Sequence, residues 1–314
     1  MTTAEAARQR RPGSPPMSVP KRMLSTVRAV VVTARPRQWP KNLLVLAAPL
    51  AYGGWGPRPD AARALGLGVL AFIAASIAVY FVNDALDVER DREHPRKRLR
   101  PVAAGLLSPR AAVGVGVVAV VVAGVLAVPI GDGWFDVILA SYLVTSFAYS
   151  LGLKHLAVVE ILLVASGFVL RALAGAAAGH IPPSNWFVAV CGLGALVVVL
   201  AKRTNERAVL TETTAVHHRP ALAHYRVRGL RTATIVATVA MLGCYLAWAT
   251  AQHPTVTTLE IASVVPLAAA MVRFDRIATR PRPVRVEDLL LTDPVMIVCE
   301  LCWLGIFVVA TMLS

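Results

Sequence analysis

Long apolar runs alternate with short polar segments along most of this chain. An α-helix needs about 20 mainly apolar residues to cross the ~30 Å hydrocarbon core of a membrane. The apolar runs predict nine transmembrane helices, of which the first and the eighth are short. The predicted spans are Leu43 to Gly53, Ala61 to Val82, Ala111 to Ile130, Phe135 to Leu151, Leu156 to Ala178, Trp186 to Ala201, Ala233 to Thr250, Leu259 to Val272 and Pro294 to Leu313.

These runs predict an all-α integral membrane protein. One long charged segment follows the second predicted span and another follows the sixth, which indicates two four-helix halves plus a final helix. Repeats of this kind often place a binding site where the halves meet. Residues 1–25 are rich in Arg and Pro and lack a continuous apolar stretch. They predict a disordered cytosolic tail before a transmembrane catalytic domain of residues 26–314.

The basic residues predict the orientation in the plasma membrane. Lys and Arg are retained on the cytosolic side, so the N-terminus and the charged segments are expected there. Arg58 and Arg63 go against this bias. The segments that carry nearly all the Lys and Arg are Asp84 to Arg110, Gly152 to His155, Lys202 to Arg231 and Arg273 to Asp288, whereas the opposite turns, Gly131 to Gly133, Gly179 to Asn185 and Ala251 to Thr258, carry none.

Composition excludes a soluble globular protein, since 56% of the 314 residues are hydrophobic and only 16% are charged. The formal net charge of +14 follows from orientation, with a possible share for anionic substrates. No nucleic-acid-binding motif is present, so no nucleic-acid partner is expected. The cysteines lie in apolar runs and predict packing rather than redox or metal chemistry; they are Cys191, Cys244, Cys299 and Cys302.

The most specific motif lies at the cytosolic end of the second predicted span. Asn83 and Asp84 are followed by Asp87 and Asp91, a spacing that places three carboxylates on one helical face. Such a face suits Mg²⁺, which prefers oxygen ligands and often bridges carboxylates to substrate phosphates. We therefore predict Asp84, Asp87 and Asp91 as catalytic metal ligands. The alternative is a solvated helix end, because the polar run continues from Glu89 to Glu93.

A basic run from His94 to Pro101 follows directly. Lys97 and Arg98 in this run suit the outer oxygens of a diphosphate or a second phosphate. Cytosolic retention of positive charge explains any single one of these residues equally well.

The motif from Asn83 to Asp91 resembles the first aspartate motif of the UbiA superfamily of intramembrane prenyltransferases. Arg35 to Asn42, which reads RPRQWPKN, resembles the family's entry to its first helix. The resemblance runs from about Arg35 to the C-terminus. It implies a nine-helix fold, a Mg²⁺ cofactor and a phosphate-bearing substrate.

The later cytosolic loop departs from the family pattern. It begins Lys202, Arg203, Thr204 and has no paired Asp where aromatic prenyltransferases carry a second aspartate motif. The resemblance is therefore to a branch that transfers 5-phosphoribose from phosphoribosyl diphosphate to a polyprenyl (decaprenyl) phosphate. That branch supplies the lipid-linked arabinose donor for cell-wall arabinan. The resemblance implies that phosphate groups are held by Arg37, Lys41, Lys97, Lys154, Lys202 and Arg203, with Asn42 and Asn83 supporting the diphosphate or the metal ligands.

The turn between the fourth and fifth predicted spans adds Tyr149, Lys154 and Glu160 as substrate-binding candidates. Glu160 lies inside an apolar span, so it either pairs with a cation or binds ribose hydroxyls. Arg171 lies deeper, where it meets the lipid phosphate or locks helices together, with packing slightly favoured. Histidines of the later loop predict solvated side chains; they are His217, His218 and His224.

Two other functions stay open from the sequence. One is an aromatic prenyltransferase that uses a prenyl diphosphate, and the missing second aspartate motif argues against it. The other is a lipid or solute transporter, for which charges near the membrane midplane would be expected. A homo-oligomer is possible, with a trimer as a guess.

Overall fold

The structure, a computed structural model, describes residues 19–209, 224–251, 257–278, 289 and 292–313. Within these ranges the chain forms α-helices and short 3₁₀ segments, and no strand occurs. The α-helices are α1 Val19–Ala34, α2 Ala47–Tyr52, α3 Ala61–Leu86, α4 Val88–Glu93, α5 Pro109–Ala127, α6 Gly133–Leu151, α7 Val159–Gly179, α8 Asn185–Val209, α9 Val227–Ala251, α10 Thr257–Ala278 and α11 Pro294–Leu313.

Six helices in the described part of the chain are long and apolar enough to cross a membrane: α3, α5 with its 3₁₀ continuation to Ile130, α6, α7, α8 and α9. Helix α11 is apolar over the shorter stretch Pro294–Ala310. The predicted all-α membrane fold is confirmed. The predicted number of nine spans stays a prediction.

The N-terminal region differs from the sequence-based expectation. Helix α1 begins at Val19, inside the predicted tail, and the disorder predicted for residues 1–18 falls outside the described residues. The first predicted span, Leu43 to Gly53, crosses from a 3₁₀ segment, Pro36–Leu46, into the two-turn helix α2. Pro40 contributes to the difference, because it lies inside the 3₁₀ segment and lacks the N–H that a continuous α-helix requires.

Four buried apolar clusters lie within the described part of the chain, and two of them are large. The first includes Phe72 of α3, Phe135 of α6 and Ala178 of α7. The second includes Ile161 of α7, Phe274 of α10 and residues of α8, α9 and α11. Helix α7 therefore contributes to both clusters and joins the two sides of the helical bundle.

Close approach between α7 and the N-terminal 3₁₀ segment depends on one glycine. A methyl group on Gly175 would overlap the carbonyl oxygen of Val45. Only glycine leaves room for the backbones at this distance. This contact holds the segment that contains Arg35 to Asn42 against the bundle.

Candidate active site

The aspartate motif lies where α3 ends and α4 begins. Asp87 is the single residue between the two helices, with φ −92° and ψ 5°, so the helical ladder is interrupted within the motif. Asp84 in α3 and Asp91 in α4 are each 2% exposed. Buried carboxylates at a membrane edge require compensating cations.

Arg100 supplies one of those cations to both buried carboxylates. Its Nη1 atom lies 3.1 Å from Asp84 Oδ1 and 2.7 Å from Asp91 Oδ2. Lys97 is farther away, with its Nζ atom 3.9 Å from Asp91 Oδ1. Asp84 and Asp91 thus share contact with one cationic nitrogen.

Arg35 reaches the same site from the N-terminal segment. Its Nη2 atom lies 2.5 Å from Asp84 Oδ1, and its guanidinium lies 4.8 Å from the ring centre of Tyr80. Arg35 has a left-handed backbone with φ 52° and ψ 61°, which a side-chain-bearing residue seldom adopts. This turn between α1 and the 3₁₀ segment aims the guanidinium at α3.

Asp87 pairs with a different cation. Lys154, in the turn after α6, places Nζ 2.5 Å and 2.7 Å from the two carboxylate oxygens of Asp87. Arg90 Nη1 lies 3.9 Å from Asp87 Oδ1. The site therefore has two sides, and the predicted single face of three carboxylates is divided between them. We call Asp84, Asp87 and Asp91 with their partners Arg35, Arg100 and Lys154 the aspartate cluster.

Carboxylate donors fit Mg²⁺ chemistry, but the described residues hold no group of three acidic, His or Cys side chains close enough for a metal site. Arg100 Nη1 lies within hydrogen-bonding distance of both Asp84 and Asp91. These two carboxylates are therefore the pair that already shares one cation. Asp87 is held apart by Lys154.

Arg35 and Arg100 were missed in the sequence analysis. Arg35 was used only to recognise the family motif, and Arg100 was one of several arginines in a run that cytosolic retention already explained. Both residues are too far from Asp84 along the chain for helical spacing to predict a contact. Only the fold brings them together.

Arg203 lies in a second ion-pair cluster, which joins α7 to α8. Its Nε and Nη2 atoms donate to the two oxygens of Glu160 at 2.7 Å and 2.6 Å, and Nη1 lies 2.6 Å from Glu206 Oε2. Side-chain exposure is 2% for Arg203 and 0% for Glu160. We call Arg203, Glu160 and Glu206 the Arg203 cluster.

The sequence-based expectation is that Arg203 binds phosphate and that Glu160 binds either a cation or ribose hydroxyls. Arg203 and Glu160 satisfy each other in a bidentate pair, so the structural ion pair considered from the sequence is the arrangement observed. Their predicted contacts with phosphate and ribose remain predictions. The signal available in the sequence was the acidic residue inside an apolar span.

Asn42 belongs to a buried network around Arg171. Arg171 Nε donates to Asn42 Oδ1 at 2.8 Å, and Nη2 donates to Tyr142 and Ser76 hydroxyl oxygens at 2.8 Å and 3.2 Å. The Asn42 amide donates to the backbone oxygen of Trp39 at 3.2 Å. Arg171 thus ties the N-terminal 3₁₀ segment to α3, α6 and α7, which matches the packing role favoured from the sequence.

The turn that carries Lys154 is fixed by Tyr225, which precedes α9. The Val158 backbone N–H donates to the Tyr225 hydroxyl at 2.7 Å, and Val158 has φ 67°, a costly conformation for a β-branched residue. Burial raises the pKa of the Tyr225 hydroxyl above its ordinary value. The neutral hydroxyl therefore stays available to this strained turn.

The remaining candidates differ in exposure. Arg37, Arg98 and His224 are exposed, and Asn83, Lys41, Tyr149 and Lys202 are half-buried. His217 and His218 lie outside the described residues. The structure thus brings Asp84, Asp91, Asp87, Lys154 and Lys97 into the aspartate cluster or its edge and leaves Asn42, Glu160 and Arg203 in separate buried networks.

Comparisons with known proteins show which family and which enzymes this chain is similar to. Residues 43–290 match the model of the UbiA prenyltransferase family. The chain is 38% identical to decaprenyl-phosphate phosphoribosyltransferase of Mycobacterium tuberculosis, over 89% of this chain and 93% of the relative. Identity to the enzyme of the same name from Corynebacterium glutamicum is 36%, over 90% of this chain and 86% of the relative.

Solved structures agree on the fold. A UbiA homolog from Archaeoglobus fulgidus bound to DMAPP and Mg²⁺ superposes with a TM-score of 0.69 at 15% identity, covering 91% of this chain and 99% of that one. At this identity the likeness concerns the fold alone. Together, the match to residues 43–290 and the near full-length relatives place this chain in the UbiA prenyltransferase family.

Proposed function

We propose that this protein transfers the 5-phosphoribosyl group of phosphoribosyl diphosphate to decaprenyl phosphate or a similar polyprenyl phosphate. The observation that carries this proposal is the 38% identity, over 89% of the chain, to an enzyme named for that activity. The segment from Lys202 to Arg207 has no second aspartate pair, and this agrees with the proposal. Aromatic prenyltransferases hold a prenyl diphosphate with two metal-binding motifs, and this sequence lacks the second one.

The reaction exchanges one bond at ribose C1. The bond from C1 to the diphosphate oxygen breaks, its electron pair leaves with diphosphate, and an oxygen of the lipid phosphate forms the new bond. Because the attacking phosphate is already an anion, no general base is required. Catalysis then consists mainly of positioning and of stabilising charge on the leaving group.

Asp84 and Asp91 are the residues that would hold Mg²⁺. Asp87, the third predicted ligand, would have to exchange its contact with Lys154 for the ion, which would release Lys154 for a phosphate. A bound Mg²⁺ supplies charge neutralisation for the departing diphosphate. Arg35, Arg100 and Lys97 surround the same carboxylates, so they are placed to bind phosphate oxygens when the carboxylates bind metal.

Other predicted contacts complete the proposal. The site faces the cytosol, where a soluble donor arrives and the lipid phosphate reaches the membrane edge. The chain is embedded in the plasma membrane with its N-terminus on the same side. Substrate contacts are also proposed for Arg37, Lys41, Asn83, Arg98, Tyr149 and Lys202.

A homo-oligomer, with a trimer as the guess, is also proposed, and size measurements on the purified protein test it.

A two-substrate assay tests the function. The purified full chain in lipid nanodiscs receives Mg²⁺, decaprenyl phosphate and phosphoribosyl diphosphate labelled in its ribose. Label should pass to the lipid phase and diphosphate should be released in equal amount. If no ribose label reaches the lipid, and the protein instead transfers a labelled prenyl group from its diphosphate to an aromatic acceptor, the aromatic prenyltransferase alternative would replace this proposal.

A further inference from the structure

A cavity of about 260 Å³ opens beside Asp87, between the junction of α3 and α4 and the turn that follows α6. Asp87, Arg90, Ser150, Lys154 and His155 line it. Cavities that hold whole drug-sized ligands usually measure about 300 to 1,000 Å³. This smaller, polar cavity suits a compact phosphorylated group and is too small for a polyprenyl chain.

The charges around the cavity leave one cation in excess. Lys154 Nζ lies within 2.5 Å and 2.7 Å of the Asp87 oxygens, so this pair is nearly neutral. Glu89 also lines the cavity, but Arg92 Nη1 neutralises it at 2.8 Å and its side chain is 78% exposed. Arg90 then adds a positive charge, and its contact with the carboxylate of Asp87 is long, with 3.9 Å between Nη1 and Oδ1.

His155 aims Arg90 at the cavity. The Arg90 Nη1 atom lies 3.0 Å from His155 Nε2, so the imidazole contacts the guanidinium from the turn that also carries Lys154. The Arg90 side chain is 68% exposed, and its remaining donors are accessible from water. A guanidinium with free donors is suited to the oxygens of a phosphate monoester.

The two sides of the aspartate cluster match the two anionic ends of the proposed donor. Phosphoribosyl diphosphate carries a diphosphate on C1 and a phosphate on C5 of one pentose. Asp84 and Asp91 lie with Arg100 on one side, and Asp87 lies with Lys154 on the other.

We propose that Arg90, His155 and Lys154 form the subsite for the 5-phosphate of the donor. This inference rests on the proposed function and deepens it, since it assigns one end of the substrate to this cavity. The diphosphate then lies on the side of Asp84 and Asp91. The cavity discriminates a phosphorylated pentose from a prenyl diphosphate, which has no second anionic end.

Steady-state kinetics of Arg90→Gln in nanodiscs test the subsite. Loss of one charged contact should raise the KM for phosphoribosyl diphosphate about tenfold or more and leave the KM for decaprenyl phosphate unchanged. Ribose 5-phosphate should inhibit the wild type and lose its effect on the variant, whereas inorganic diphosphate should inhibit both. Arg110→Gln, at an exposed position in the first turn of α5, is the control and should behave as the wild type.

His155→Gln provides a second variant in case Arg90→Gln does not fold, and it should give the same selective rise in donor KM. An unchanged donor KM in both variants would overturn the subsite while the proposed function stands. A rise in the KM for decaprenyl phosphate alone would assign the cavity to the lipid phosphate and also overturn it. Absence of transfer in the wild type would instead remove the proposed function itself.

Discussion

Two ion-pair clusters, the aspartate cluster and the Arg203 cluster, differ in how much water reaches their cations. In the aspartate cluster, Arg35 and Arg100 retain 29% and 27% of their side-chain exposure, whereas Arg203 retains 2%. The aspartate cluster also borders a cavity, beside Asp87. Cations that keep contact with water can exchange a carboxylate for a substrate phosphate at little cost, and a fully buried pair cannot.

This difference predicts that the aspartate cluster uses its charges for binding and that the Arg203 cluster uses its charges for structure. Glu160 and Arg203 form a bidentate pair inside the bundle, and removing Arg203 takes away the cation that contacts both oxygens of the buried Glu160 carboxylate. Asp84 and Asp91 share one arginine nitrogen, Nη1 of Arg100, and the proposed Mg²⁺ would take the place of that nitrogen. We therefore expect substitutions in the aspartate cluster to affect activity and substitutions in the Arg203 cluster to affect stability.

The largest expected effect follows from Asp84→Asn or Asp91→Asn. Loss of either carboxylate should lower the transfer rate about 100-fold or more, because charge on the leaving diphosphate is then poorly stabilised. The unfolding transition should shift little, since Arg35 and Arg100 keep partial hydration. Glu93→Gln, an exposed residue of the same α4 helix, is the control and should retain the wild-type rate. Wild-type transfer rates in both aspartate variants would contradict the expectation that the aspartate cluster serves activity.

Glu160→Gln should act on stability. It leaves the buried Arg203 with Glu206 as its remaining acidic partner. Loss of a hydrogen-bonded contact between charged groups typically costs about 1.5 to 3 kcal/mol. SDS titration of the protein in mixed micelles measures the loss, and the folded fraction should keep its rate. Replacement of both partners, Glu160→Leu with Arg203→Met, should recover much of the stability. If Glu160→Gln instead lowers the rate without changing unfolding, Glu160 binds substrate.

Tyr225→Phe should produce a smaller, local effect at the edge of the Arg203 cluster. It removes the oxygen that accepts the Val158 N–H, which costs about 1 kcal/mol. Hydrogen–deuterium exchange should speed up in the turn of residues 152–158, where Val158 holds a strained backbone. Exposed Tyr52→Phe should leave that turn unchanged. Unaltered exchange in Tyr225→Phe would show that the turn is fixed by other contacts.

The smallest expected effect concerns an exposed ion pair remote from both clusters. Hydrogen bonds from Arg58 and Arg63 lower the pKa of Asp60 from 3.8 to about 2. The folded state therefore binds this proton less readily than the unfolded state, so the stabilisation is present above about pH 4 and is lost as the pH falls toward 2. Asp60→Asn should remove this part of the pH dependence of unfolding. If the variant loses stability at low pH to the same extent as the wild type, this prediction is wrong.

Sequence patterns located the aspartate motif because three acidic residues at a membrane edge have few structural explanations. They did not reveal the interruption at Asp87, since helical spacing assumes an unbroken ladder through Asp91. The partners Arg35 and Arg100 stayed hidden because positive-inside charge explains every cytosolic arginine equally. Glu160 carried a real signal in its apolar setting, but its partner Arg203 becomes visible only when α7 packs on α8.

The central claim is that Asp84 and Asp91 hold a divalent ion together with the donor diphosphate. Electron paramagnetic resonance of Mn²⁺ titrated into the nanodisc-embedded protein tests it without any turnover. In the presence of phosphoribosyl diphosphate, the wild type should bind Mn²⁺ at a saturable site, and the Asp84→Asn, Asp91→Asn double variant should show only the signal of the metal–donor complex in solution. Equal saturable binding by both proteins would contradict the claim.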